Sequence, residues 1–97
     1  MSKDLKTYIK IINSHRDYLR ENYNVKDIGI FGSVARGEKN PNDIDILVEL
    51  SKPMGFFKFL DLEDYLKKIL KKKVDLVTKP ALKSIIKKSI LKETVYV

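Results

Sequence analysis

The segment Asp43-Ile44-Asp45-Ile46-Leu47-Val48-Glu49-Leu50 constrains the fold more than any other part of the chain. A β-strand turns successive side chains to opposite faces. Ile44, Ile46, Val48 and Leu50 therefore share one face, and Asp43, Asp45, Leu47 and Glu49 share the other. The apolar face has to be buried, and a lone strand cannot bury it, so the chain must supply partner strands and a covering layer. Two further β-favouring runs, residues 26–31 and 73–78, offer partners. Leu5, Tyr8, Ile9, Ile12 and Leu19 recur at helical spacing and predict one amphipathic helix over residues 4–23. Phe56, Phe59, Leu60, Leu66, Ile69 and Leu70 predict another. Pro80 is placed to open a third over residues 81–92, with Leu82, Ile85, Ile86 and Ile90 inward. Residues 33–38 suit a short helical turn, 39–42 and 51–55 read as loops, and 94–97 form an extended tail. The expected fold class is α+β (α/β-like), a mixed sheet of three or more strands covered by about four helices.

Composition narrows the function classes. At 97 residues there is room for one domain, expected to span residues 1–97, with none left over for a separate substrate-handling unit. The chain has no Cys, which removes disulfides, Cys-based zinc sites and thiol nucleophiles and points to a reducing, cytoplasmic setting. No apolar run is long enough for a membrane span, and the polar start lacks a signal peptide's apolar core. The net charge of +7 is unevenly placed: residues 1–66 hold ten basic and eleven acidic side chains, whereas residues 67–92 hold ten Lys and one acid, Asp75. That lysine-rich third can attract phosphate or nucleic acid, or be a solvated surface; both readings stay open.

Three carboxylates stand out because each interrupts a strand-like apolar run. Asp43 and Asp45 leave the same face of one strand, roughly 6.5–7 Å apart at Cα. Asp75 lies within Val74-Asp75-Leu76-Val77, and placing that strand beside the first would gather all three. Clustered anions repel unless a cation neutralises them. Oxygen donors select Mg²⁺ or Mn²⁺, and two such ions about 3.5–4 Å apart suit in-line displacement at phosphorus. Gly32-Ser33 directly follows a strand and precedes a helical turn, where close backbone approach and free N–H groups favour a phosphate. Arg36 could reach a triphosphate or brace a carboxylate such as Glu38. Singly, these are an ordinary turn, a solvated cap and a structural ion pair; their order along the chain is what carries weight.

Phe31-Gly32-Ser33-Val34-Ala35-Arg36-Gly37-Glu38, followed by Asn42-Asp43-Ile44-Asp45-Ile46-Leu47-Val48-Glu49, closely resembles the nucleotidyltransferase superfamily that includes DNA polymerase β. Within it, the chain is most similar to the minimal nucleotidyltransferases, antitoxin-type partners of HEPN-domain toxins. Val74-Asp75-Leu76-Val77-Thr78 and the terminal Ile90-Leu91-Lys92-Glu93-Thr94-Val95-Tyr96-Val97 extend the resemblance over essentially the whole chain. The resemblance implies that Asp43 and Asp45 hold two Mg²⁺ ions (Mn²⁺ as an alternative) and that Asp75 completes the catalytic metal site. Gly32 and Ser33 would cradle the β- and γ-phosphates of ATP, with Arg36 nearby in a nucleotide-binding role. AMP would pass to a hydroxyl, by family precedent a tyrosine of the HEPN toxin, with release of pyrophosphate. Two other readings stand beside this one: a non-catalytic antitoxin that neutralises its partner by binding, and a nucleic-acid-binding module using the lysine-rich third.

Other residues fall outside the site. His15 reads as a boundary or surface position on the first helix, and Asp61, Glu63 and Asp64 as a solvated helix face. Phe56, Phe57 and Phe59 are expected mostly in the core, any exposed ones being candidates for a partner interface.

Overall fold

The computed structural model describes residues 3–38 and 41–97. The elements run α1 (Lys3–Ser14), α2 (Arg16–Tyr23), β1 (Val25–Phe31), α3 (Gly32–Ala35), β2 (Asp43–Leu50), α4 (Phe56–Leu70), β3 (Lys73–Thr78), a 3₁₀ turn (Lys79–Ala81), α5 (Ser84–Glu93) and β4 (Val95–Tyr96). The expected 39–42 turn lies partly outside the described residues. The strands form one mixed sheet in the order β3-β2-β1-β4, with β2 parallel to β3 and β1 antiparallel to both its neighbours.

Ile44, Ile46 and Val48 are completely buried, as the alternation in β2 requires. They join Ile28 and Ile30 of β1 and Val74 and Leu76 of β3 in a core closed by Leu5 and Ile12 of α1, Leu19 of α2 and Leu62, Leu66 and Leu70 of α4. A smaller cluster lies on the opposite face, where Leu82, Ile90 and Leu91 pack with Phe31, Leu47 and Val77. The 3₁₀ turn and α5 thus cover only part of that face, while α1, α2 and α4 seal the other.

The structure corrects several expectations. Residues 4–23 form two helices, because the side chains at the junction compete for backbone groups. The Ser14 hydroxyl donates to the Ile11 carbonyl at 2.7 Å, the His15 ring Nδ1 lies 2.9 Å from the same oxygen, and the His15 N–H bonds only three residues back, to Ile12. Pro80 opens a 3₁₀ turn, and α5 itself starts at Ser84. Ile85 and Ile86 point outward, at 86% and 46% exposure; Leu82 and the Ile90–Leu91 pair make the contact instead. In α4 the buried stripe is Leu62, Leu66 and Leu70, which leaves Phe56, Phe57 and Leu60 exposed and Phe59 half-buried. The tail is not merely extended. It adds β4 to the sheet edge, pairing Val95 with Ile30 and Tyr96 with Gly29, and the Val97 N–H donates to the Ile28 carbonyl at 2.9 Å. Gly29 is what admits it: a Cβ there would overlap the Thr94 methyl group.

Candidate active site

The site begins where β1 ends. Gly32 takes a positive φ of 73°, a conformation costly for any residue with a Cβ. The same missing Cβ makes room for Asp45, whose carboxylate occupies the space a side chain would fill. The chain then enters α3, anchored on the sheet by buried Val34, with Ser33 half-buried beside Gly32.

Strand register brings the aspartates into one neighbourhood. Phe31 pairs with Asp45 across β1 and β2, and Asp45 pairs with Asp75 across β2 and β3. Asp45 therefore stands between the Gly32 turn and Asp75, with Asp43 two residues away on the same face. Asp43 and Asp75 are exposed, Asp45 half-buried. Burial raises the Asp45 pKa from its ordinary value; the negative charges of Asp75 and Asp43 add to the rise, Arg36 opposes it and Glu93 reinforces it. Among the described residues no three acidic or imidazole side chains stand preassembled to hold a metal ion. Like charges give these carboxylates no reason to converge without a cation between them. The donors are nonetheless hard oxygens whose ionised forms destabilise one another, which fits Mg²⁺ or Mn²⁺.

Arg36 lies at the rim. Its Nε and Nη2 each reach Glu38 at 2.8 Å, while Nη1 donates to Glu93 at 3.2 Å; these carboxylates, Glu38 first, raise the guanidinium pKa. Glu93 also accepts the Gly32 N–H at 2.5 Å. In the sequence Glu93 appears only within the terminal segment 90–97 of the family resemblance, with no role of its own. The one available signal was its position as the second acid in an otherwise lysine-rich stretch.

A cavity of about 680 Å³ opens at the opposite end of β2, lined by Glu49, Lys52, Lys79 and Lys87 among others, and holds none of the three aspartates. Its shape alone does not make it the reaction centre: the titratable cluster and the glycine turn lie elsewhere, where larger substrates can approach exposed carboxylates.

An in-register pair of aspartates thus stands beside a strand–glycine–helix turn, on a nucleotidyltransferase fold. The chain belongs to the nucleotidyltransferase domain family, whose model matches residues 12–97. It is 48% identical over 88 residues to the protein adenylyltransferase MntA of Thermococcus cleftensis, covering 90% of this chain and 89% of that protein. Among solved structures it resembles a toxin–antitoxin crystallised with AMP-PNP (26% identity, TM-score 0.72, 87% of this chain and 69% of the other). It also shares its fold with a chain of the Shewanella oneidensis complex between a tri-AMPylated HEPN toxin and its nucleotidyltransferase antitoxin (22% identity, TM-score 0.68, 92% and 70% covered). Among the described residues no helix is long and apolar enough to cross a membrane.

Proposed function

We propose that this chain transfers AMP from ATP to a tyrosine hydroxyl of a HEPN-domain toxin, and in doing so acts as its antitoxin. The observation that carries the reading is the Asp45–Asp75 register beside the Gly32 turn, in a chain nearly half identical to a protein adenylyltransferase over nine-tenths of its length.

Gly32 and Ser33 seat the β- and γ-phosphates at the start of α3, where the first N–H groups have no partner within the helix and favour negative charge, the Gly32 N–H being held by Glu93. Arg36, held by Glu38 and Glu93, adds positive charge at the rim of that seat. Asp43, Asp45 and Asp75 would hold two Mg²⁺ ions, or Mn²⁺ in their place, which when bound neutralise the triphosphate and acidify the acceptor hydroxyl. The hydroxyl oxygen forms a bond to the α-phosphorus, and the bond from that phosphorus to the bridging oxygen breaks. Pyrophosphate leaves with the electron pair, and Asp75, the most outlying of the three along the sheet, takes the hydroxyl proton. Because Asp43 and Asp75 are exposed, the acceptor can arrive on the surface of another protein, and the need for ATP places the reaction in the cytoplasm. We read residues 1–97 as one minimal domain that carries this activity.

The test combines the chain, ATP, Mg²⁺ and the HEPN protein encoded beside it, followed by intact mass spectrometry. A gain of whole AMP units on a HEPN tyrosine is expected. An unmodified HEPN protein, with metal and ATP present, would contradict the proposal.

A further inference from the structure

Two acids survive in residues 67–97, Asp75 and Glu93, and the fold brings both to the same site. We propose that Glu93 is a positioning residue for the nucleotide: its carboxylate ties the Gly32 N–H and the Arg36 guanidinium to the end of α5 and so sets the phosphate-receiving turn against the Asp45 strand. This inference rests on the nucleotidyltransfer reading above.

Glu93 reaches across 61 residues of sequence to Gly32 at 2.5 Å and across 57 to Arg36 at 3.2 and 3.4 Å. Charge-assisted bonds of this kind are stronger and more directional than neutral ones. Glu93 engages Gly32 and not Ser33. Arg36 is fixed on both edges, since Glu38 holds its Nε and Nη2.

Glu93 is itself anchored from two sides. Before it, Ile90 and Leu91 pack with Phe31 and Leu47. After it, the Thr94 N–H and hydroxyl both donate to the Ile90 carbonyl, at 3.0 and 2.6 Å, and β4 pairs with β1. The Arg16 guanidinium closes the end by donating to the Val97 carbonyl at 2.8 Å. The tail strand thus delivers one carboxylate to the turn with little freedom of its own.

Electrostatics argues against a purely stabilising role. A fourth carboxylate near three aspartates adds repulsion. A neutral acceptor would hold the Gly32 N–H without that penalty. What the carboxylate adds is its grip on Arg36.

The experiment uses the whole chain, Mg²⁺ and AMP-PNP. The protein has four glycines, so the Gly32 amide is readily assigned in a ¹H–¹⁵N spectrum. Glu93→Ala should move that amide far upfield and raise the AMP-PNP Kd about tenfold or more, the loss expected for one charge-assisted hydrogen bond. In transfer assays KM for ATP should rise more than kcat falls. Glu93→Gln keeps a carbonyl for Gly32 but loses the charge facing Arg36, so it should give a smaller defect; it also serves if the alanine variant does not fold. A displaced Gly32 amide with unchanged AMP-PNP affinity would overturn the proposal and leave a structural ion pair. Tighter AMP-PNP binding would overturn it differently, by showing that the carboxylate competes with phosphate. If wild-type protein binds no AMP-PNP at all, the nucleotidyltransfer reading fails and this proposal with it; a normal wild type beside an indifferent Glu93→Ala removes only the role of Glu93.

Discussion

The two faces of β2 carry opposite obligations. Ile44, Ile46 and Val48 face a sealed core and are completely buried, while Asp43 and Asp45, one residue out of phase, face a partly covered site in which charges repel. One face lowers the free energy of the fold. On the other, buried Leu47 stabilises the fold as well, and only the aspartate end raises the free energy, held in place by the packing around it. A strand with period two can hold both without compromise, since no side chain serves both faces.

Truncating one residue on each face separates the two roles. Asp43→Ala should reduce AMP transfer to background while leaving the thermal midpoint within a few degrees of wild type. Ile46→Ala should do the reverse in kind, costing about 2–5 kcal/mol of stability by urea titration. Transfer by the Ile46 variant, measured where it is still folded, should survive. If Asp43→Ala destabilised as much as Ile46→Ala, the division between the faces would be wrong.

A smaller effect is expected where the two regions meet. Gly32→Ala forces a Cβ into left-handed backbone, at about 1–2 kcal/mol, and into the space of the Asp45 carboxylate. Its loss of AMP-PNP affinity should exceed what its lowered stability accounts for, as read by calorimetry on the folded fraction.

The smallest effect is in pH. Asp45 has a higher pKa folded than unfolded, so it holds its proton more tightly in the folded chain. Stability from this group is therefore fully present below the unfolded carboxylate pKa, declines as pH rises towards the raised folded value, and is level above it. In metal-free buffer the advantage of Asp45→Asn over wild type should grow across that window and then plateau. A constant difference at all pH values would remove the electrostatic explanation.

Strands β1, β2 and β3 and the meeting of the aspartates were legible because they follow from period-two alternation, whereas β4 was expected only as an extended tail. Once residues 73–78 are placed beside β2, Asp75 has few positions other than opposite Asp45. Helical periodicity was less dependable. It marked α4 correctly but could not choose Leu62 over Phe56, since an apolar stripe shows which residues can be buried and tertiary packing decides which are. The break at His15 arose from hydroxyl and imidazole contacts with one carbonyl, which hydropathy does not register. Glu93 was out of reach for another reason. Its partners lie 57 and 61 residues away, and the packing of α5 on the sheet together with the pairing of β4 with β1 brings them together.

On this reading the acidic face is a cation site whose repulsion the core face sustains. Thermal unfolding of wild type and Asp45→Asn, each with chelator and with saturating Mg²⁺, tests it most directly. Wild type should unfold at the lower temperature in chelator and be stabilised by Mg²⁺, as linkage requires for a ligand bound only by the folded state. Asp45→Asn should start higher and gain little. An asparagine variant less stable than wild type in chelator, or equal stabilisation of both proteins by Mg²⁺, would contradict the account.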